Sequence, residues 1–255
     1  MAAEPVDDDN MNLLPGGGIH LERRVGGFGT IDIVERPSDG ARLYLQNAQL
    51  QSLARPDGAS LLAYNQAIRG VLLQVGCRRV AILGAAGSTL GTMLARDGAT
   101  PVLVDINPDA FELAEKYFWL APTVERVVAD AHDFLSRGTE LFDAIVLDTF
   151  DGGETPPHLM TVGFFGLARR RLLPQGLLLL NVPAHRGQPP RTVGPATLMV
   201  VAGFPVTVLE GPTQICRNAL VIGGPLPDVA LPVGDEPAET IRDLSNLRVT
   251  RRTGT

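Results

Sequence analysis

Two cysteines in 255 residues are too few to staple a scaffold. Cys77 and Cys216 also lack metal-ligand spacing, so both are expected to be reduced thiols in a chain that uses no metal and suits the cytoplasm. Long apolar runs are missing too: the stretch around Leu177 to Leu180 falls far short of the roughly 20 residues that a spanning helix requires, so no membrane partner is expected. The start, MAAEPVDDDN, has neither a positive segment nor an apolar core, which argues against a signal peptide; residues 1–18 are expected to be a disordered acidic tail. Positive charge is scarce. A formal net charge of −6 and the lack of a long basic run argue against nucleic acid, while a polycationic ligand remains compatible. Arg169, Arg170 and Arg171 are expected on a solvated helix face. What remains, 45% hydrophobic and 20% charged, has the balance of a soluble globular protein.

The chain divides by pattern. From Ile19 to about Asn47 it is short and punctuated: Gly26, Gly27 and Gly29 interrupt it, Ile31 and Ile33 alternate with polar residues, and Pro37 to Gly40 reads as a turn. RLYLQNAQLQS then reads as the second arm of a hairpin. Ser60 to about Gln74 carries Leu61, Leu62, Ile68, Leu72 and Leu73 at helical spacing, with Gly70 a mild objection. Residues 19–74 are thus expected to form a small β-rich domain with a linking helix.

Residues 75–230 alternate strand and helix: VAILG, a helix from Ser88 to Arg96, PVLVDI, a helix from Pro108 to Trp119, VERVVA, a short helix near His132, and FDAIVLD. A helix from about Thr161 to Leu173 and the apolar strand GLLLLNV follow. The alternation predicts a parallel α/β sheet with crossover helices, and GLLLLNV a strand buried on both faces. PVTVLE and NALVIG read as an antiparallel edge hairpin. After Leu231, residues 231–255 are expected to form a tail with little fixed structure.

In open sheets of this type ligands bind outside the carboxyl ends of the strands. Four such ends carry chemistry here. The turn Leu83-Gly84-Ala85-Ala86-Gly87-Ser88-Thr89 opens a helix whose cap is expected at Ser88 or Thr89, and its small residues let a ligand approach the backbone, although such turns also occur for purely geometric reasons. Asp105, with Ile106 beside it, lies roughly 20 residues beyond that turn, the spacing at which a carboxylate accepts both hydroxyls of a ribose. Asp130 and the backbone of Ala131 can meet an adenine ring, or Asp130 can simply cap the next helix. Asp148 ends a fourth strand, with Asp151 three residues on. A nucleoside-bearing ligand is the expectation.

FDAIVLDTFDGGETPPHLMTVGFFGLARRRLLPQGLLLLNV resembles the signature region of spermidine synthase-like proteins, the aminopropyltransferases and their relatives. Asp148, Asp151, Pro157, Leu159, Thr161 and Phe164 meet the pattern, and the similarity extends from about Ile31 to Ile222. The resemblance implies a Rossmann-like class I methyltransferase fold, with a seven-stranded, mostly parallel sheet and a small N-terminal β domain. It also implies S-adenosylmethionine or decarboxylated S-adenosylmethionine as co-substrate, a small-molecule acceptor and a homo-oligomer, commonly a dimer. Asp148 would take the proton or charge of an attacking amine and Asp151 would help hold a polyamine. Asp105 would bind ribose and Asp130 adenine, with Gln51 and Tyr64 at the lip of the site. An ammonium must lose a proton before it attacks a sulfonium carbon, which suits a nearby carboxylate.

Departures qualify the resemblance. Where aminopropyltransferases have Gly-Gly-Gly-Asp-Gly-Gly, this chain has Leu83 to Ser88 with Ala86 in place of the acid, which removes a charge that would repel the carboxylate of S-adenosylmethionine itself. The family's Tyr-His-Glu at the gate reads Tyr64-Asn65-Gln66, which keeps Gln66 as an expected substrate contact but removes an imidazole and a carboxylate from the amine path, so polyamine binding is expected to be weakened. His158, beside the two aspartates, is either a base for an alcohol or phenol or an exposed loop residue. His20, His132 and His185 lack partner spacing and are assigned to surface or capping positions. The expected function is alkyl transfer, aminopropyl or methyl, to an amine or another nucleophile; the alternative is a divergent protein that keeps the fold as a cyclase, binding or regulatory protein.

Overall fold

The computed structural model describes residues 17–184, 189–211 and 218–252. The acidic start, His185 and Cys216 lie outside the described residues. Among the described residues no helix is long and apolar enough to cross a membrane.

Strands β1 (Ile19–Gly26), β2 (Gly29–Glu35), β3 (Arg42–Gln46) and β4 (Gln49–Ala54) form an antiparallel meander. RLYLQNAQLQS is therefore two strands rather than one hairpin arm. Its turn falls at Asn47 and Ala48, both with positive φ (49° and 62°), the backbone a two-residue hairpin needs. Asn47 also accepts the Thr30 amide through its side chain at 2.9 Å.

Helix α1 (Ala63–Val75) links this sheet to a larger one built from β5 (Arg79–Leu83), α2 (Thr89–Arg96), β6 (Thr100–Asp105), α3 (Pro108–Tyr117), β7 (Glu125–Val128), α4 (Ala131–Arg137) and β8 (Phe142–Leu147). It continues with α5 (Val162–Arg170), β9 (Leu172–Pro183), α6 (Val193–Val201), β10 (Val206–Glu210), β11 (Asn218–Gly223), α7 (Ala238–Ser245) and β12 (Arg248–Arg252). The sheet order is β12-β10-β11-β9-β8-β5-β6-β7, parallel from β9 to β7 and antiparallel beyond. Leu177 to Leu180 are at most 1% exposed, as a strand covered on both faces requires. One face packs on α1, α2, α3 and α7 through Val71, Met93, Phe111 and Leu244. The other packs on α4, α5 and α6 through Leu135, Phe164 and Met199. Phe118, at the end of α3, joins Ile31, Ile33 and Tyr44 and fixes the small sheet to the large one.

Three differences from the sequence expectation concern chain after Pro205 and one arginine. The large sheet has eight strands, not seven, because β12 pairs with β10; the β10–β11 hairpin is therefore internal rather than an edge. Residues beyond Leu231 are not a tail without structure. Arg69 of α1 reaches Asp235 at 2.7 Å, Gln74 exchanges hydrogen bonds with the Ala230 backbone, and Gly70 leaves the space that Leu231 fills, since a Cβ there would fall 2.4 Å from Leu231 Cδ2. Arg171 is buried, not solvated: its guanidinium donates to the carbonyls of Glu140 and Leu135 at 2.6 and 2.9 Å.

Candidate active site

The strand order reverses between β5 and β8, and a crevice opens outside their carboxyl ends, where ligands of doubly wound sheets bind. Gly84, just past β5, has φ of 103°, and a Cβ there would lie 2.2 Å from the Asp148 carbonyl. Glycine is what lets the two loops meet. The crevice is a cavity of about 510 Å³, of a size that takes a small organic ligand, and Gly84, Ala85, Asp105, Ile106, Asp130, Ala131, Asp148, Asp151, Gln51 and His158 all line it.

Asp105 ends β6 and braces the glycine turn. One of its oxygens accepts the Ala85 amide at 2.7 Å and the other the Asn107 amide at 2.8 Å. Burial pushes its carboxyl up against the opposing pull of these amides. Asp105 itself lines the cavity beside the turn it braces.

Asp130 caps α4, with its side chain accepting the His132 and Asp133 amides at 2.7 and 3.3 Å. Its second oxygen meets His158 Nε2 at 3.0 Å. Burial alone would raise this carboxyl, but His158 and the two amides hold it below the usual range. The capping role and a place in the cavity wall are thus both real. His158 pairs with Asp130, across the cavity rim, and no hydrogen bond joins it to Asp148 or Asp151 among those of the described residues.

Asp148 is the inner acid. Asn181 Nδ2 donates to it at 2.7 Å and the Tyr64 hydroxyl at 3.2 Å; Asn218 Nδ2 in turn donates to Asn181 Oδ1 at 2.8 Å. Burial lifts the Asp148 carboxyl to about 6, with Asn181 and Tyr64 restraining the rise. Burial and the adjacent carboxylate keep the Tyr64 phenol protonated, well above its ordinary range. Asp151 is exposed at the cavity lip, where its backbone closes a tight bridge with Glu154 around Gly152 and Gly153.

Three expected site residues, Gly87, Gln66 and Tyr64, do not line the main cavity. Gly87 lies behind the turn: its amide donates to Ser52 Oγ at 3.1 Å, and a Cβ there would press on Ser52 and Phe118. Gln66 is 1% exposed and points into the packing between α1 and α2, donating to the Ser60 carbonyl at 2.6 Å. Tyr64 lines a smaller chamber that adjoins the main one. The expected cap on α2 is also absent, since Ser88, in the left-handed conformation, makes no side-chain cap bond. Sequence reading missed Ser52, Asn181 and Asn218. Asn181 did carry a signal, as the lone amide in GLLLLNV; a fully buried polar group must have a partner. His20, read as a surface residue, pairs with Asp32 at 2.6 Å, and the His132 ring stacks on Phe164.

No family model matches the sequence. Over 121 residues the chain is 30% identical to a polyamine aminopropyltransferase of Vibrio vulnificus, a match that covers 45% of this chain and 40% of the relative. A polyamine aminopropyltransferase of Chromobacterium violaceum is 31% identical over 127 residues, 48% of this chain and 49% of that one. The matched stretch thus spans less than half the length of either relative. Among solved structures, a probable spermidine synthase from Corynebacterium glutamicum superposes with a TM-score of 0.74 at 20% identity, covering 90% of both chains. Spermidine synthase from Thermotoga maritima gives 0.60 at 19% identity, over 89% of this chain and 78% of that one. The chain therefore has the two-sheet fold of spermidine synthases, a methyltransferase-type α/β sheet with an N-terminal antiparallel sheet, and is similar in sequence to the polyamine aminopropyltransferases.

Proposed function

We propose that the protein is a transferase that takes an alkyl group, aminopropyl or methyl, from S-adenosylmethionine or its decarboxylated form to an amine or other nucleophile of a small molecule. The observation that carries this reading is Asp148: an acid at the switch point of the sheet, held by Asn181 and Tyr64 and raised to about 6 by burial. Such a carboxylate is ionised at neutral pH yet basic enough to take a proton from an approaching ammonium. The bound donor would supply an electrophilic carbon on a sulfonium.

The residues divide the work. Asp105 would accept the ribose hydroxyls, and the backbone around Ala131, with Asp130 locked by His158, would face the base. Asp148 would orient the nucleophile and take its proton as the new bond forms. The electron pair of the broken carbon–sulfur bond stays on sulfur, which leaves as a neutral thioether, so no acid is required on that side. Asp151, free at the lip, would attract a cationic acceptor.

The test is calorimetric titration with S-adenosylmethionine, its decarboxylated form and methylthioadenosine, on the wild type and on Asp105→Ala. Binding by at least one ligand, lost in Asp105→Ala, is expected. A protein that binds none of the three is not this transferase.

A further inference from the structure

Past Asp105 the main cavity runs on to the start of α3, where Asn107 and Ala110 form one wall and the small sheet supplies Phe28 and Tyr44 for the other. Two polar side chains in these walls are more than nine-tenths buried: Tyr44 is 1% exposed and Asn107 7%. Each keeps a donor without a partner. The side-chain oxygen of Asn107 caps α3 by accepting the Asp109 amide at 3.1 Å, while its Nδ2 makes no hydrogen bond among the described residues, and neither does the Tyr44 hydroxyl. The enclosed polar atoms that lack a partner are Asn65 Oδ1, Gln66 Oε1, Ser88 Oγ, Thr92 Oγ1 and Arg126 Nε. Neither donor is among them, so the sliver of surface that Tyr44 and Asn107 each retain includes the donor atom, on the cavity side.

Charge places the phenol more closely. Burial first, and then the carboxylates of Asp105 and Asp109, push the Tyr44 hydroxyl above its ordinary range and hold it protonated. Those two acids stand two residues to either side of Asn107, so both donors serve the same end of the cavity. An anion there would be repelled by Asp105 and Asp109. An apolar group would leave two buried donors unpaired, at a cost on the order of 1–3 kcal/mol each. A hydroxyl suits the place, because its oxygen accepts from such donors while its proton goes to a neighbouring carboxylate.

We infer that Tyr44 and Asn107 are specificity-determining residues that donate to a sugar hydroxyl of the bound nucleoside, so that the site selects a ribonucleoside over a deoxy counterpart. The inference rests on the transferase reading above, in which Asp105 accepts from the ribose, and adds the donors that the same hydroxyl oxygen requires.

Calorimetry with methylthioadenosine and its 2′-deoxy and 3′-deoxy counterparts tests it. The wild type is expected to bind methylthioadenosine at least about tenfold more tightly than one of the deoxy compounds, since that compound leaves buried polar groups unpaired. Tyr44→Phe keeps the ring that packs near Phe118, and Asn107→Asp keeps the cap on α3. Each should weaken methylthioadenosine by about three- to tenfold, the scale of one hydrogen bond. Each should leave the disfavoured deoxy compound unchanged, which also reports that the variant is folded. Should either substitution leave methylthioadenosine untouched, or weaken all three nucleosides alike, the inference is overturned while the transferase reading stands. Equal binding of the three by the wild type overturns it in the same way. If the wild type binds no nucleoside, the transferase reading falls with it.

Discussion

Asn181 Nδ2 donates to Asp148 Oδ1 at 2.7 Å, so the buried amide of β9 is the group that orients the innermost carboxylate. The bond works against burial. Without it the charged form of Asp148 would be harder still to maintain.

Asp148→Asn should therefore stabilise the protein while it abolishes transfer. An acid raised from 3.8 to about 6 binds its proton more tightly in the native than in the unfolded state. Its unfavourable contribution is absent below pH 4 and grows as pH rises through 6. The upper limit at neutral pH is about 3 kcal/mol, from about 1.4 kcal/mol per pH unit. Urea melts of both proteins at pH 4 and pH 8 check this: the variant should gain at pH 8 and not at pH 4, with turnover lost at both.

Asn181→Leu should move the acid limb of the pH–rate profile upward. In the wild type, transfer is expected to rise as Asp148 ionises near pH 6. Loss of a donor to the charged form is worth about 1.5–3 kcal/mol, so the midpoint should climb by about one pH unit or more. A profile that stays in place shows that Asp148 does not set that limb.

Gly84→Ala tests the meeting of the two loops. A Cβ would sit 2.2 Å from the Asp148 carbonyl, on a residue whose φ is 103°. Strain and displacement together should cost about 3 kcal/mol or more, and ligand binding should fail along with it. Thermal melting and calorimetry on the same sample read both.

His158→Ala separates two roles for the loop histidine. Since His158 pairs with Asp130 and not with Asp148, its removal should weaken nucleoside binding by about two- to tenfold, the scale of one partly exposed hydrogen bond, and leave the rate at saturating ligand unchanged. A large loss in saturated rate would make His158 the base.

The β–α alternation was readable because strands buried on both faces are continuous apolar runs, as at Leu177 to Leu180, and because each crossover helix repeats a helical period. The four strand-end positions followed from that order. The Asn47–Ala48 turn was not readable, because alanine holds a left-handed position where glycine is the usual marker. The site's inner supports come from elements far apart in the chain: Ser52 reaches the glycine turn across 35 residues and Asn218 reaches Asn181 across 37. Gln66 looked like a site residue by its place in the segment Tyr64-Asn65-Gln66, yet successive helical residues face different directions: Tyr64 and Asn65 line the chamber and Gln66 does not.

The C-terminal segment shows the same limit most clearly, and it can be tested. Its helix is short and charged, which on its own predicts no stable structure. What orders it is Arg69, whose guanidinium bonds to Asp97 and Asp235 together, the latter 166 residues away. Arg69 is 9% exposed, so Arg69→Met keeps its packing and removes only the ion pairs. Because Asp235 remains largely solvated and Asp97 does not, the expected cost lies between an exposed and a buried pair, about 2 kcal/mol. The loss should be local before it is global. Limited proteolysis is expected to cut first between Leu231 and Ala238 in the variant while the wild type resists, and protection of β12 amides against hydrogen exchange should fall before that of β8. Equal protection in both proteins would mean that the packing of Leu231 against Gly70, not the ion pairs, holds the segment.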